Sequence, residues 1–260
     1  MPPRGEGGRA VGESVAVGPS LGHPRLHLRR TDSTSDRARE LALAGAPHGT
    51  LVTAAEQTAG RGRQGRRWSA PAHSALLMSL VLRPSPSGCV PPPPLLPLIA
   101  ALAVCDIVGD RAQIKWPNDI VLVRGDRLAK LAGILAEGRP QEGWAVLGIG
   151  VNVAVRVADL PDELHDSAAT LGQAPADVEP ALQRLLDALS RRLAQDDDAT
   201  LQAWRERDAL RGREVSWSSG RGRAQGIDGA GRLVVSLAGG GRAALDAGEV
   251  HLLSGSDRAG

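Results

Sequence analysis

KWPNDIV, residues 115–121, stands between two short apolar runs and decides how this chain is read. Pro117 has no backbone N–H and a fixed φ, so no smooth helix passes through it, and it pushes Trp116 into extended backbone. The chain therefore leaves one strand, turns tightly and enters another. Lys115, Asn118 and Asp119 then project near one strand end. An ammonium, an amide and a carboxylate together suit a nucleotide and its metal ion. Lys115 would meet phosphate oxygen, and Asp119 or Asn118 would meet Mg²⁺ or its waters. The plainer reading, a hairpin whose Asn-Asp pair only makes the turn, stands beside it.

Outward from this turn the expected elements alternate. TDSTSDRARELALAG (31–45) reads as a helix that Asp32, Ser33 or Thr34 can cap and Gly45 can end. GTLVTAAEQ (49–57) and SALLMSLVLRP (74–84) read as strands, with an arginine-glycine loop between them. A proline-rich turn leads to an apolar helix over Leu95–Val108. AQIKW, DIVLV, LAGILAE and WAVLGIGVNV follow as strands, mostly continuous apolar runs of the kind found in a sheet covered on one face by helices. Residues 178–194 and 199–209 read as helices. Past Arg211, short strands at close spacing with glycine turns suggest a small antiparallel barrel of about fifty residues. The expected fold class is α+β: a loose Gly/Pro/Arg-rich tail over 1–24, a mixed-sheet domain over 25–210, and a small barrel over 211–260.

Composition narrows the function classes. Of 260 residues, 42% are hydrophobic and 23% charged, with a net charge of +2, which is a globular composition and too balanced for bulk binding of nucleic acid. The longest apolar run carries Asp106 and is too short to span a bilayer. The N-terminus lacks the apolar core of a signal peptide and has no room for a helix-turn-helix. Cys89 and Cys105 match no zinc or redox spacing. A cytoplasmic protein is expected.

The chain has no Tyr and no Phe, and its only lysines, against 29 arginines, are Lys115 and Lys130. Its only asparagines are Asn118 and Asn152. A pressure on composition has removed residues wherever a substitute serves, so these four are expected to share a purpose. A compact ammonium fits a narrow anionic site that a planar guanidinium does not. Lys130 opens AKLAGILAE, beside a buried strand, where a cation is costly unless it meets an anion or snorkels at the edge. Asn152 ends the apolar run GIGVNV. GRGRQGRRW (60–68) packs four arginines and three glycines into nine residues, and is either loose and basic or a clamp for an anion.

DSTS (32–35), EQTAGRGRQGRRW (56–68), KWPNDIV, KLAGILAE (130–137) and GIGVNV (148–153) together resemble the biotin protein ligases, in the family's order and over roughly residues 30–155. The small C-terminal barrel fits that family's SH3-like domain, and the chain looks like the simpler, non-repressor class. The resemblance implies ATP-dependent biotinylation in two steps. The biotin carboxylate attacks the α-phosphate of ATP to give biotinyl-5′-AMP and pyrophosphate. A lysine of a biotin carboxyl carrier domain, from an acyl-CoA or pyruvate carboxylase, then displaces AMP. It also implies Mg²⁺, with Asp119 as the metal-side residue, and a monomer or weak homodimer acting without DNA or membrane.

By position, the resemblance assigns Ser33, Thr34, Ser35, Gln57, Arg61, Gly62, Arg63 and Lys130 to biotin. It assigns Arg63, Trp68, Lys115, Asn118, Asp119, Lys130 and Asn152 to ATP, with Arg61, Arg63, Lys115 and Lys130 acting on the reacting groups. Trp68 would offer adenine a flat surface or anchor the loop. Ser35 stands where Asn is common, and Ala129 where Gly is frequent. A lipoate–protein ligase of the same superfamily is the nearest alternative. A biotin sensor without catalysis and an Arg-Gly nucleic-acid-binding module are more distant ones.

Overall fold

The computed structural model describes residues 21–84, 95–139, 142–246, 248 and 250–253. Most of the expected tail, residues 1–20, lies outside them, as does Cys89. Residues 21–24 correct the reading of a tail that runs to 24. Gly22 donates its N–H to Gly49, Pro24 accepts from Leu51, and Leu21 packs on the core.

Seven strands make the main sheet: β1 (Arg25–Leu28), β2 (Leu51–Ala54), β5 (Ala75–Leu82), β6 (Ala112–Lys115), β7 (Asp119–Arg124), β8 (Arg127–Arg139) and β9 (Trp144–Asn152). Their order is β1-β2-β5-β9-β8-β7-β6, with β1 and β2 parallel and every other pair antiparallel. The sheet is therefore mixed. β1 is an unexpected edge strand.

Helices α2 (Leu96–Val108) and α3 (Val178–Leu193) bury one face, with α4 (Asp197–Glu206) against α2. α2 is buried without a break from Leu98 to Cys105, more than two turns, so it is covered all round over that length. Pro97 in its first turn removes an N–H that has no helical partner there. Burial within α2 pushes the Cys105 thiol up to about 12, which leaves it inert.

The opposite face is not bare, as the sequence had suggested. α1 (Thr34–Leu43) lies on it, with Ala38 and Ala42 against Val52, Val81, Trp144 and Val146. This double cover explains why all eight residues of β5 are buried. Ser33 caps α1 by accepting from the Asp36 N–H, and Gly45, at φ +86°, ends it.

The C-terminal strands β10 (Glu214–Trp217), β11 (Gly220–Ile227), β12 (Leu233–Ser236), β13 (Arg242–Leu245) and β14 (His251–Leu252) form an antiparallel sheet in the order β13-β12-β11-β10-β14. Among the described residues β13 and β14 are open edges, so the strands expected to close a barrel form an open sheet. Val215, Ala224, Leu233 and Val235 join the same buried core as α2 and β6. Trp116 Nε1 donates to Gly231 O at 3.0 Å, which ties this sheet to the KWPND turn. Among the described residues no helix is long and apolar enough to cross a membrane.

Candidate active site

The sheet face beside α1 opens into a cleft floored by β8 and β9 and roofed by the arginine-glycine segment. That segment is an ordered hairpin. β3 (Gly60–Arg61) pairs with β4 (Arg67–Trp68), and Gly62 N–H donates to Arg66 O at 2.8 Å. Its turn has two left-handed residues, Gln64 at φ +54° and Gly65 at φ +76°, the second of which glycine adopts without strain. The hairpin lies so close that a Cβ on Gly60 would stand 2.8 Å from Gln57 Nε2.

Glycines on the floor make the space. A Cβ on Gly150 would stand 2.7 Å from the Trp68 ring, one on Gly133 3.1 Å from it, and one on Gly148 2.6 Å from Ser35 Oγ. Trp68 thus seats its indole over two glycines of adjacent strands. Lys130 Nζ lies 5.8 Å from the ring centroid, a cation–π distance.

The charge in the cleft is one-sided. Among the described residues, Arg61, Arg63, Arg66, Arg67, Lys115 and Lys130 line it, against the single carboxylate of Asp119. Lys130 Nζ meets Asp119 Oδ1 at 2.7 Å, and Arg63 Nη1 donates to Asn118 Oδ1 at 3.3 Å. Burial holds Lys115 below its ordinary pKa of 10.5; Asp119 partly offsets this, and Lys130 and Arg66 add to it. Burial likewise lowers Arg63. Two partly desolvated cations, Lys115 and Arg63, with Lys130 beside the same carboxylate, make a site that gains from a polyanion.

At the other end Thr34, Ser35 and Gln57 line the cleft. Arg61 is held from outside it: its guanidinium pairs with Asp36 at 2.8 Å and Glu137 at 2.8 Å, and Arg39 bridges the same two carboxylates. Four side chains thereby clasp the first arm of the hairpin to α1 and β8.

Most of the expected site residues converge: Thr34, Ser35, Gln57, Arg61, Gly62, Arg63, Trp68, Lys115, Asn118, Asp119 and Lys130 all line one cleft. Two do not. Ser33 is buried as the cap of α1. Asn152 is buried, with Nδ2 donating to Ala169 O at 2.9 Å and its backbone carbonyl accepting from the Leu171 N–H, so it fastens the loop after β9. Ala129, where Gly is frequent, is buried. Sequence reasoning missed the floor glycines, the Asp36–Arg39–Glu137 clasp, and Val250 and Gly248 near the C-terminal strands, which reach the cleft. The alternation of Gly148 and Gly150 in GIG, which puts both on one strand face, was the available signal for the floor.

A model of the biotin/lipoate A/B protein ligase family matches residues 27–153. Over 233 residues the chain is 36% identical to biotin–[acetyl-CoA-carboxylase] ligase of Paracoccus denitrificans, with 80% of this chain and 92% of that protein aligned. The chain belongs to the biotin protein ligase family. It is also 43% identical over 163 residues to the bifunctional ligase/repressor BirA of Bacillus subtilis (strain 168), which takes in 59% of this chain and 48% of the relative. The chain thus spans about half the length of that relative. A solved biotin protein ligase from Aquifex aeolicus, in complex with biotin and ATP, superposes with a TM-score of 0.72 at 26% identity, covering 88% of this chain and 98% of that one.

In this biotin protein ligase family member, no group of three or more His, Cys, Asp or Glu able to hold a metal occurs among the described residues. Among the described residues Asp119 is the one carboxylate lining the cleft, with Asn118 beside it. That set fits Mg²⁺ carried in on triphosphate, which needs one or two protein carboxylates, and does not make a metal cage of its own.

Proposed function

We propose that this chain is a biotin–[biotin carboxyl carrier protein] ligase. It would activate biotin with ATP to biotinyl-5′-AMP and transfer the biotinyl group to one lysine of a carboxylase carrier domain. The observation that carries the proposal is the cleft itself: Lys115, Lys130 and Arg63 around the Asp119 carboxylate at one end, and the uncharged hydrogen-bonding groups of Thr34, Ser35 and Gln57 at the other. Such a cleft suits an acid whose head is a neutral ureido ring and whose tail carboxylate must approach a triphosphate.

In this reading Thr34, Ser35 and Gln57 bind the ureido head, and the β8 segment Gly133–Leu135, beside the Trp68 indole, walls the ring and valeryl chain. Lys130 sits where carboxylate meets α-phosphate and takes up negative charge as the phosphorane-like transition state forms. Lys115 and Arg63 hold the phosphates, and Arg63 also closes the hairpin over the adenylate, keeping water from the mixed anhydride. Mg²⁺ bound to ATP would be held near Asp119 and Asn118 and would offset phosphate charge. The Asp119 carboxylate now paired with Lys130 would exchange that partner when ATP enters, freeing the ammonium for the reacting oxygens. Ser33 and Asn152 take structural roles.

The proposal extends to a two-unit chain divided near residue 210, with an SH3-like C-terminal unit whose Val250 and Gly248 edge the cleft. It also takes the enzyme as cytoplasmic and as a monomer or weak homodimer, acting without DNA or membrane on the carrier domain of an acyl-CoA or pyruvate carboxylase. Pyrophosphate exchange into ATP, run with biotin and with lipoate as the acid, tests the first step. Exchange with biotin alone, followed by labelling of a carrier domain, supports the proposal. Exchange with lipoate alone makes the chain a lipoate ligase, and binding of biotin without exchange makes it a sensor.

A further inference from the structure

Four side chains at the uncharged end of the cleft form one line of hydrogen bonds, in the order Gln57, Thr34, Ser79, Ser35. Ser79 lies on β5, is fully buried and does not line the cleft. The line has a direction that the geometry fixes. Thr34 N–H lies 2.7 Å from Gln57 Oε1, and a backbone N–H can only donate, so the Gln57 atom there is its carbonyl oxygen. The Thr34 hydroxyl lies 3.0 Å from the same oxygen and gives it its one proton. Thr34 Oγ1 therefore accepts from Ser79 Oγ at 2.9 Å. With its own proton committed, Ser79 accepts from Ser35 Oγ at 3.1 Å. Reversing the line would set the lone pairs of Thr34 Oγ1 and Gln57 Oε1 against each other inside a buried, weakly screened site.

The consequence lies at the two ends. Ser35 Oγ has only lone pairs left for the cleft, and Gln57 has only its Nε2 protons. We infer that Ser79 is a positioning and specificity-determining residue, which holds Ser35 as a pure acceptor for a ureido N–H while Gln57 serves as a pure donor to the ureido carbonyl. This rests on the proposal that biotin is the acid bound here. It also accounts for the serine at 35. The Asn common in the family carries an acceptor oxygen of its own, whereas a serine hydroxyl donates or accepts as its surroundings dictate. Ser79 removes that choice.

The test compares binding of biotin with binding of its two cyclic carbamate isomers, in which one or the other ureido N–H is replaced by oxygen, by calorimetry. Wild type should reject one isomer by about tenfold or more relative to biotin, because an oxygen then faces the Ser35 lone pairs. Ser79→Ala releases the Ser35 proton, so that ratio should fall toward one while ATP affinity stays as in wild type. Ser35→Ala should lower it as well. Ser79→Cys, which roughly keeps the shape but accepts only weakly from Ser35, is read in the same way should the alanine variant not fold. An unchanged ratio in the Ser79 variants, with biotin and carbamate weakened alike, overturns the inference. Failure of the wild type to bind biotin at all would instead overturn the functional proposal beneath it.

Discussion

Gly150→Ala should separate the fit of the hairpin from the stability of the core. The new Cβ would stand 2.7 Å from Trp68 Cε2 and 3.0 Å from both Cζ2 and Nε1, where ordinary contact begins at 3.4 Å. The ring must retreat by about 0.7 Å, and overpacking of this kind costs about 1–3 kcal/mol. Two parts of the molecule could yield. β9 is hydrogen-bonded on both sides, to β5 and β8. The hairpin has only two paired positions on each arm, and Trp68 is half-buried. The hairpin therefore moves, and the closed arrangement loses that energy, which corresponds to about 5- to 150-fold in biotin affinity. The assay is biotin KM in pyrophosphate exchange, with Tm as the control, for Gly150→Ala, Trp68→Ala and the double variant. Tm should barely change. Because Trp68 is the clashing partner, Gly150→Ala should add almost nothing in the Trp68→Ala background. Effects that simply multiply in the double variant would refute the reasoning, since the added methyl would then be acting on something other than this ring.

Lys130→Arg should lose activity about a hundredfold although charge is kept, through about 3 kcal/mol of misplaced transition-state contact; near-normal exchange would show that a fork fits beside Asp119. Arg63→Gly loses the contact to Asn118 and adds backbone freedom, together about 2–4 kcal/mol, so the adenylate should escape and label lysines of a bystander protein, which is read by probing for biotin. Lys115 is held below 10.5 by burial, and a bound polyanion restores its affinity for the proton. ATP binding should therefore take up protons at alkaline pH and weaken as pH rises through the free-state pKa, seen as a buffer-dependent binding enthalpy that Lys115→Arg abolishes.

Local chemistry made much of this protein legible. Pro117 has the same effect on its neighbours in any fold, so the strand-turn-strand around it, and the grouping of Lys115, Asn118 and Asp119, could be read directly. Apolar runs located β5, α2, β8 and β9 because burial selects residue types wherever a segment packs. The rarity of lysine drew attention to Lys115 and Lys130, which do share one carboxylate, Asp119. The same argument named Asn152, which lies outside the cleft lining with its amide donating to Ala169 O. A scarce asparagine also survives where a loop needs an amide to fasten it, and composition does not distinguish the two uses.

Tertiary structure decided what depends on partners distant in the chain. Ser33 and Ser35 look alike in DSTS, yet one caps α1 and the other lines the cleft, because α1 lands on β5 with Ser79 opposite Ser35. The glycines of the floor, the clasp of Arg61 between Asp36 and Glu137, and the arrival of Val250 from the C-terminal sheet follow from how strands and helices pack. Backbone preference and burial are properties of a segment and its own residues, so the sequence determined them. A hydrogen bond or ion pair belongs to two groups at a distance of a few ångströms, and only folding brought those groups together.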